Sequence, residues 1–216
     1  MKFAIVLAGC GVYDGSETNE VAFSLLALEK LGISWDTFAP NIKSEKVVNH
    51  ITGENTSNSN RNVLEESARL VRGNINAIEN AEINQYDAIL VPGGFGVVTN
   101  LCNFATKKSQ YSLSAPIAEF FTKAKALNKP MGFICIAPML IPKIYPDATL
   151  TIGNDRELID IIEASGAKHI ECCVDDIAID KKYNIVSTPA NMLAKNLCEL
   201  ESSITKLVSR LQNLCT

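Results

Sequence analysis

Lys129-Pro130-Met131-Gly132-Phe133-Ile134-Cys135-Ile136-Ala137-Pro138 is the stretch that decides the fold. Its apolar run ends on a cysteine and passes at once into helix-compatible sequence. Pro138 fits there because the first residues of a helix have no intrahelical partner for their N–H. Such a turn lifts the residue at its apex out of the sheet and points the first helical amides at any oxyanion forming beside it. Cys135 is therefore the leading candidate nucleophile, and a following helix dipole predicts a reactive, readily ionised thiol.

Outward from this turn, short β-compatible runs (Lys2 to Leu7, Ser34 to Phe38, Ala88 to Val91, Met131 to Ile134) alternate with helically spaced segments. Those segments are Glu17 to Leu31, Arg61 to Val71, Ala115 to Leu127 and Asp155 to Ser165. The alternation predicts an α/β fold, a mostly parallel sheet with crossover helices on both faces. Cys173 to Ile179, Lys181 to Asn184 and Ile185 to Thr188 read as a late hairpin. A last helix from about Asn191 carries Leu193, Leu197, Leu200, Ile204, Leu207 and Leu211 on one stripe, either core or a dimer face. Residues 41–84 exceed the minimal pattern and include the loop Thr52 to Asn60, with too few apolar residues for a second domain. A flexible cover over the site is one use for them. One domain spanning 1–216 is expected.

At 216 residues and 47% hydrophobic the chain can bury a substantial core. A net charge of −4, with no basic cluster, argues against a nucleic-acid surface. No apolar stretch approaches a membrane span. Met1 to Cys10 imitates a lipoprotein signal, but its apolar part, Phe3 to Ala8, is short and reads better as a buried first strand. Seven cysteines, an odd number without framework spacing, suggest reduced thiols and a cytoplasmic protein.

Two Gly-rich turns follow strands. Gly9-Cys10-Gly11-Val12-Tyr13-Asp14 lacks the third glycine of a dinucleotide fingerprint, and no acid follows Phe38-Ala39-Pro40, so no nucleotide cofactor is expected. Pro92-Gly93-Gly94-Phe95-Gly96 ends the strand next to that of Cys135. Its bare amides either approach a ligand, Gly94 and Ile136 then forming an oxyanion hole, or serve only a turn's backbone angles.

A thiol needs a proton partner. Glu17 and Glu20 open the first helix, past the cap signal Asp14-Gly15-Ser16 and at the sheet edge where Cys135 stands. Either exchanges a proton with the sulfur or only pairs with the helix dipole. Glu20 borders the buried stripe and is the better candidate. His169-Ile170-Glu171 would complete a Cys-His-Glu amidase triad if it reached Cys135, although Lys168 to Val174 reads as a strand. Cys172-Cys173 has neither zinc nor redox spacing, and no metal is inferred.

Taken together, Ala8 to Glu17, Val48 to Glu54, Arg61 to Leu64, Val91 to Gly96, Phe133 to Pro138 and Thr151 to Gly153 resemble the PfpI-like branch of the class I glutamine-amidotransferase superfamily. The chain is similar end to end to its ElbB proteins. The resemblance implies a flavodoxin-like three-layer sandwich, a homodimer, and a cofactor-free glyoxalase that converts glyoxal or methylglyoxal to glycolate or lactate. By position, the family's nucleophile falls on Cys135 and its acid on Glu20, with Glu17 its neighbour. An association with isoprenoid biosynthesis also travels with the family, without a chemical basis in these residues. The chain departs from it at Ile136, where many relatives have histidine, and Phe133 stands where the hydrolase elbow prefers a small residue. The expected chemistry is a Cys135 hemithioacetal whose protons Glu20 relays. The alternatives are a non-catalytic redox sensor or holdase using an oxidisable Cys135, and a glutamine amidase using His169 and Glu171.

Overall fold

The computed structural model describes residues 1–56 and 60–215. The chain runs β1 (Lys2–Val6), α1 (Thr18–Lys30), β2 (Ser34–Ala39), α2 (Val63–Leu70), β3 (Asn76–Ala77), β4 (Ala88–Val91), α3 (Phe104–Lys107) and α4 (Ala115–Ala126). It continues with β5 (Met131–Ile134), α5 (Ile141–Ile144), β6 (Thr149–Leu150), α6 (Arg156–Ala164), β7 (Lys168–His169), β8 (Ala178–Asp180), β9 (Ile185–Thr188) and α7 (Leu197–Asn213). Seven strands form one sheet in the order β3-β2-β1-β4-β5-β9-β8, all parallel to their neighbours except β8, which pairs antiparallel with β9. This is the flavodoxin-like α/β sandwich with its late hairpin.

The central strands are buried at every position because both faces are covered: β4 and β5 are apolar throughout, and β9 buries Ser187 and Thr188 beside Ile185 and Val186. Phe3 to Ala8 are inaccessible to solvent, and β1 pairs on both sides, so the signal-like N-terminus is a central strand. In α7, Leu200, Ile204, Leu207 and Leu211 are buried against α1, β5 and β9, so the stripe is core rather than a dimer face.

Several expected boundaries move. The last helix begins at Leu197, not near Asn191, and Leu197 itself is exposed. The hairpin's first strand is confined to β8, while His169 belongs to a separate two-stranded sheet of β6 and β7. Segment 41–84 supplies α2, β3 and irregular chain. This chain is tied to the body where Glu45 donates its N–H to Asn100 Oδ1 at 3.0 Å and Val48 donates to Asp14 Oδ2 at 2.7 Å. Of the loop Thr52 to Asn60, residues 57–59 lie outside the described part.

The order reverses direction between β1 and β4, and in parallel sheets the crevice outside the carboxyl ends at such a point is where ligands bind. Parallel pairing of β1, β4, β5 and β9 delivers the residues that follow each of them to that one edge.

Candidate active site

Cys135 follows β5 directly, with φ +61°, in the left-handed region that a non-glycine residue rarely adopts. The strain is held by the sheet: the Cys135 N–H donates to Thr188 O at 2.9 Å, extending the β5–β9 ladder one residue past the strand. Phe133, out of place by motif, is fully buried and lies 6.0 Å, ring to ring, from Phe121. The elbow thus forms with a large residue two positions before its apex, because that side chain packs away from the turn.

Glu20 sits fully buried in the first turn of α1. Its Oε2 accepts the Gly93 N–H at 2.8 Å, its Oε1 accepts the Asn191 N–H at 3.4 Å, and the carboxyl meets the Cys135 thiol as a hydrogen-bonding partner. A Cβ on Gly93 would stand 2.6 Å from Cys135 Cβ and 2.7 Å from Glu20 Oε2. Only glycine there lets thiol and carboxyl meet. Gly94, at φ +103°, would push a Cβ to 2.4 Å from Gly15 O, so it too is fixed by geometry. The amides of Gly94 and Ile136 both face the Cys135 sulfur.

Glu17 is the N-cap of α1, its carboxylate accepting the Glu20 N–H at 2.7 Å and the Asn191 Nδ2 at 3.1 Å. The expected cap signal has other duties: Asp14 accepts the Val48 N–H, and Ser16 Oγ accepts the Ala8 N–H at 2.8 Å. Asn191 links both carboxyl groups, and sequence reading missed it because it lies in a turn after β9. The available clue was its position, three residues past a strand ending at the same sheet edge.

Electrostatics overturn one expectation. The Cys135 thiol is not readily ionised: burial, then the charge of Glu20, push its pKa well above the usual 9.0, against the lesser pull of the Ile136 and Gly94 amides. The expected helix dipole is weak, since Cys135 is followed by a 3₁₀ turn at Ala137–Leu140 and a helix of only four residues. Burial and then the nearby Glu17 charge raise Glu20 from 4.5 to about 7.

The amidase triad is not assembled. His169 Nε2 accepts the Ile152 N–H at 3.3 Å from its place in the β6–β7 sheet, and the cavity beside Cys135 has no histidine in its lining. That cavity is about 450 Å³, with Glu17, Gly94, Ile136 and Asn191 around the sulfur and Lys46 reaching in from segment 41–84.

No protein-family model matches the chain. It is 33% identical to the mitochondrial ES1 protein homolog of Rattus norvegicus over 99% of its own length and 84% of the relative's. It is also 33% identical to the human mitochondrial glutamine amidotransferase-like class 1 domain-containing protein 3, over 99% and 83%. A crystal structure of an isoprenoid biosynthesis protein with amidotransferase-like domain from Ehrlichia chaffeensis superposes over all of both chains, with TM-score 0.93 at 28% identity. A DJ-1 superfamily protein of Salmonella typhimurium shares the fold, with TM-score 0.58 at 17% identity over 98% and 90%. The cytoplasmic expectation is corrected here, since the curated relatives are mitochondrial proteins. The seven cysteines, all free, carry no address within the cell. The chain belongs to the ES1 family of proteins with a glutamine amidotransferase-like class 1 domain.

Proposed function

We propose that the chain is a cofactor-independent glyoxalase of the ElbB-like type, acting as a homodimer on small α-oxo aldehydes. The observation that carries the reading is the buried Cys135–Glu20 pair, a thiol on a strained turn meeting a carboxyl poised near neutrality, with two amides aimed at the sulfur. Neither group is charged cheaply in that setting, so the chemistry is written as proton transfer within the pair.

Cys135 Sγ attacks the aldehyde carbon while its proton passes to the Glu20 carboxylate, and the Gly94 and Ile136 amides hold the developing oxyanion. Glu20, again ionised after protonating that oxygen, removes the proton from the former aldehyde carbon. That proton passes to the neighbouring carbonyl oxygen to give the enediol, and transfer of the hydroxyl proton on the sulfur-bearing carbon to the neighbouring carbon, again through Glu20, leaves a hydroxyacyl thioester. Water opens the thioester, freeing the hydroxy acid and restoring the thiol. The sum is glyoxal plus water giving glycolic acid: one carbon is oxidised and the other reduced within the molecule. Glu17, engaged as helix cap and held by Asn191, keeps the α1 terminus and Glu20 in place.

The redox-sensor alternative needs an accessible thiolate. Cys135 is 8% exposed and its pKa is raised, which disfavours that reading. The deciding experiment is incubation of carbon-13 glyoxal with the wild type and with Cys135→Ala, read by NMR. Labelled glycolate from the wild type alone supports the proposal. Equal conversion by both, or none by either, ends it.

A further inference from the structure

The cavity beside Cys135 is larger than glyoxal needs. Its volume is about 450 Å³, whereas four heavy atoms occupy roughly the space of four waters, about 120 Å³ in all at ~30 Å³ each. Much of the surplus is walled by Phe95, Val98, Phe104, Leu158 and Met192, with Val12 at the rim. Val12 is 39% and Phe95 44% exposed, and the Phe95 N–H donates to Val12 O at 2.8 Å, so the two form one fixed apolar lip. Apolar walls around a few convergent polar groups are the ordinary make-up of a small-molecule site.

The charged groups of the lining already have partners, and Glu157 and Lys108 pair with each other at its exposed edge. Asp155 caps α6 through the Leu158 N–H at 3.1 Å, Glu157 pairs with Lys108 at 3.3 Å, and Glu17 caps α1. The Lys46 ammonium stands 5.3 Å from the centre of the Phe95 ring, turning that ring's outer face into part of the wall. Apart from these partnered polar groups, an incoming molecule meets hydrocarbon on one side and the sulfur with its amides on the other.

We infer that the site is built for α-oxo aldehydes, R–CO–CHO, whose R is an aryl or branched alkyl group lying among Phe95, Phe104, Leu158 and Met192. The turnover part rests on the glyoxalase reading; the binding part does not. The reaction balances as before, R–CO–CHO plus water giving R–CH(OH)–COOH, with the aldehyde carbon oxidised, the keto carbon reduced and no outside oxidant.

The test compares kcat/KM for phenylglyoxal and glyoxal. With half of the ring carried out of water, about three methylene-sized groups at roughly fourfold each, the ratio in the wild type is about 50. In Phe95→Ala and in Leu158→Asn the ratio falls about five- to tenfold. A wild-type ratio of one or less, with glyoxal still turned over, overturns the inference and leaves the glyoxalase reading standing. Acetophenone and acetone, which lack the aldehyde, are titrated separately into ¹⁵N-labelled wild-type protein. Acetophenone is expected to shift amides of Val12, Phe95, Phe104 and Leu158 at millimolar concentration, and acetone at least tenfold more weakly. Equal responses, or shifts elsewhere, overturn the inference whether or not either aldehyde reacts. If neither aldehyde reacts, the glyoxalase reading fails and the titration alone decides the subsite.

Discussion

Replacing Glu20 by glutamine should leave the protein about as stable as wild type near pH 5 and make it more stable in mild base. The folded protein holds the Glu20 proton up to about pH 7, whereas the unfolded chain releases it near the usual 4.5. An acid whose pKa is raised by folding stabilises the native state below its unfolded value, and that contribution fades as pH rises through the folded value. At about 1.4 kcal/mol per tenfold, wild type loses about 2–3 kcal/mol from this group between pH 5 and pH 8. Glutamine has the shape of the protonated acid and no titration. Its oxygen can keep the Gly93 N–H, while its NH₂ then faces the Asn191 N–H that Glu20 Oε1 accepts at 3.4 Å, a loss of about 1 kcal/mol. Glu20→Gln is thus about as stable as wild type at pH 5, where ionisation of the unfolded wild-type chain already offsets most of that loss, and about 2 kcal/mol stronger at pH 8. In a chain of this size a kilocalorie moves the melting temperature by about 2–4 °C, so the difference between the two proteins changes by roughly 5–10 °C across that range. Thermal melts followed by circular dichroism at half-unit pH steps read this directly. Parallel curves from pH 5 to pH 8 would refute the claim that a buried, proton-holding carboxyl occupies position 20.

The same substitution should slow glyoxal turnover by about a hundred- to ten-thousand-fold, the usual range for lost proton transfer, in steady-state assays at pH 8. Because Glu20 must be ionised to take the thiol proton, wild-type kcat/KM should rise about tenfold per pH unit below pH 7 and level off above it. A profile flat from pH 5.5 to pH 8 excludes Glu20 as the base. Cys135→Ala removes a thiol that now lowers the Glu20 pKa, so the carboxyl carbon-13 resonance of Glu20 should titrate at higher pH in that variant. Gly93→Ala drives a methyl between Cys135 and Glu20 and should cost at least about 2 kcal/mol in urea unfolding, together with activity. Leu207→Ala, in the buried stripe of α7, should cost about 2–5 kcal/mol with the site chemistry intact, as core truncations do.

Regular alternation of apolar strands with helical spacing made the parallel sheet legible, because a strand covered on both faces must be apolar throughout, as β4 and β5 are. The site's position was legible for the same reason: parallel strands bring their carboxyl ends to one edge, so Gly93, Gly94, Cys135 and the start of α1 had to converge. Short elements were not legible. The strands β6 and β7 are two residues each and exist only because they pair with one another, which took His169 away from Cys135.

By itself, then, the sequence determined that Gly93, Gly94, Cys135 and the start of α1 come to one sheet edge, since hydrophobic periodicity and turn chemistry are local properties that mark strands and the residues at their ends. What they do after meeting was decided by tertiary structure alone. Cys135 is a protonated thiol because burial costs a charge more than one short 3₁₀ turn returns to it. Glu17 is a helix cap, and Glu20 is the fully buried carboxyl beside Cys135 whose pKa burial raises to about 7, because burial and distance are set by how distant parts of the chain pack.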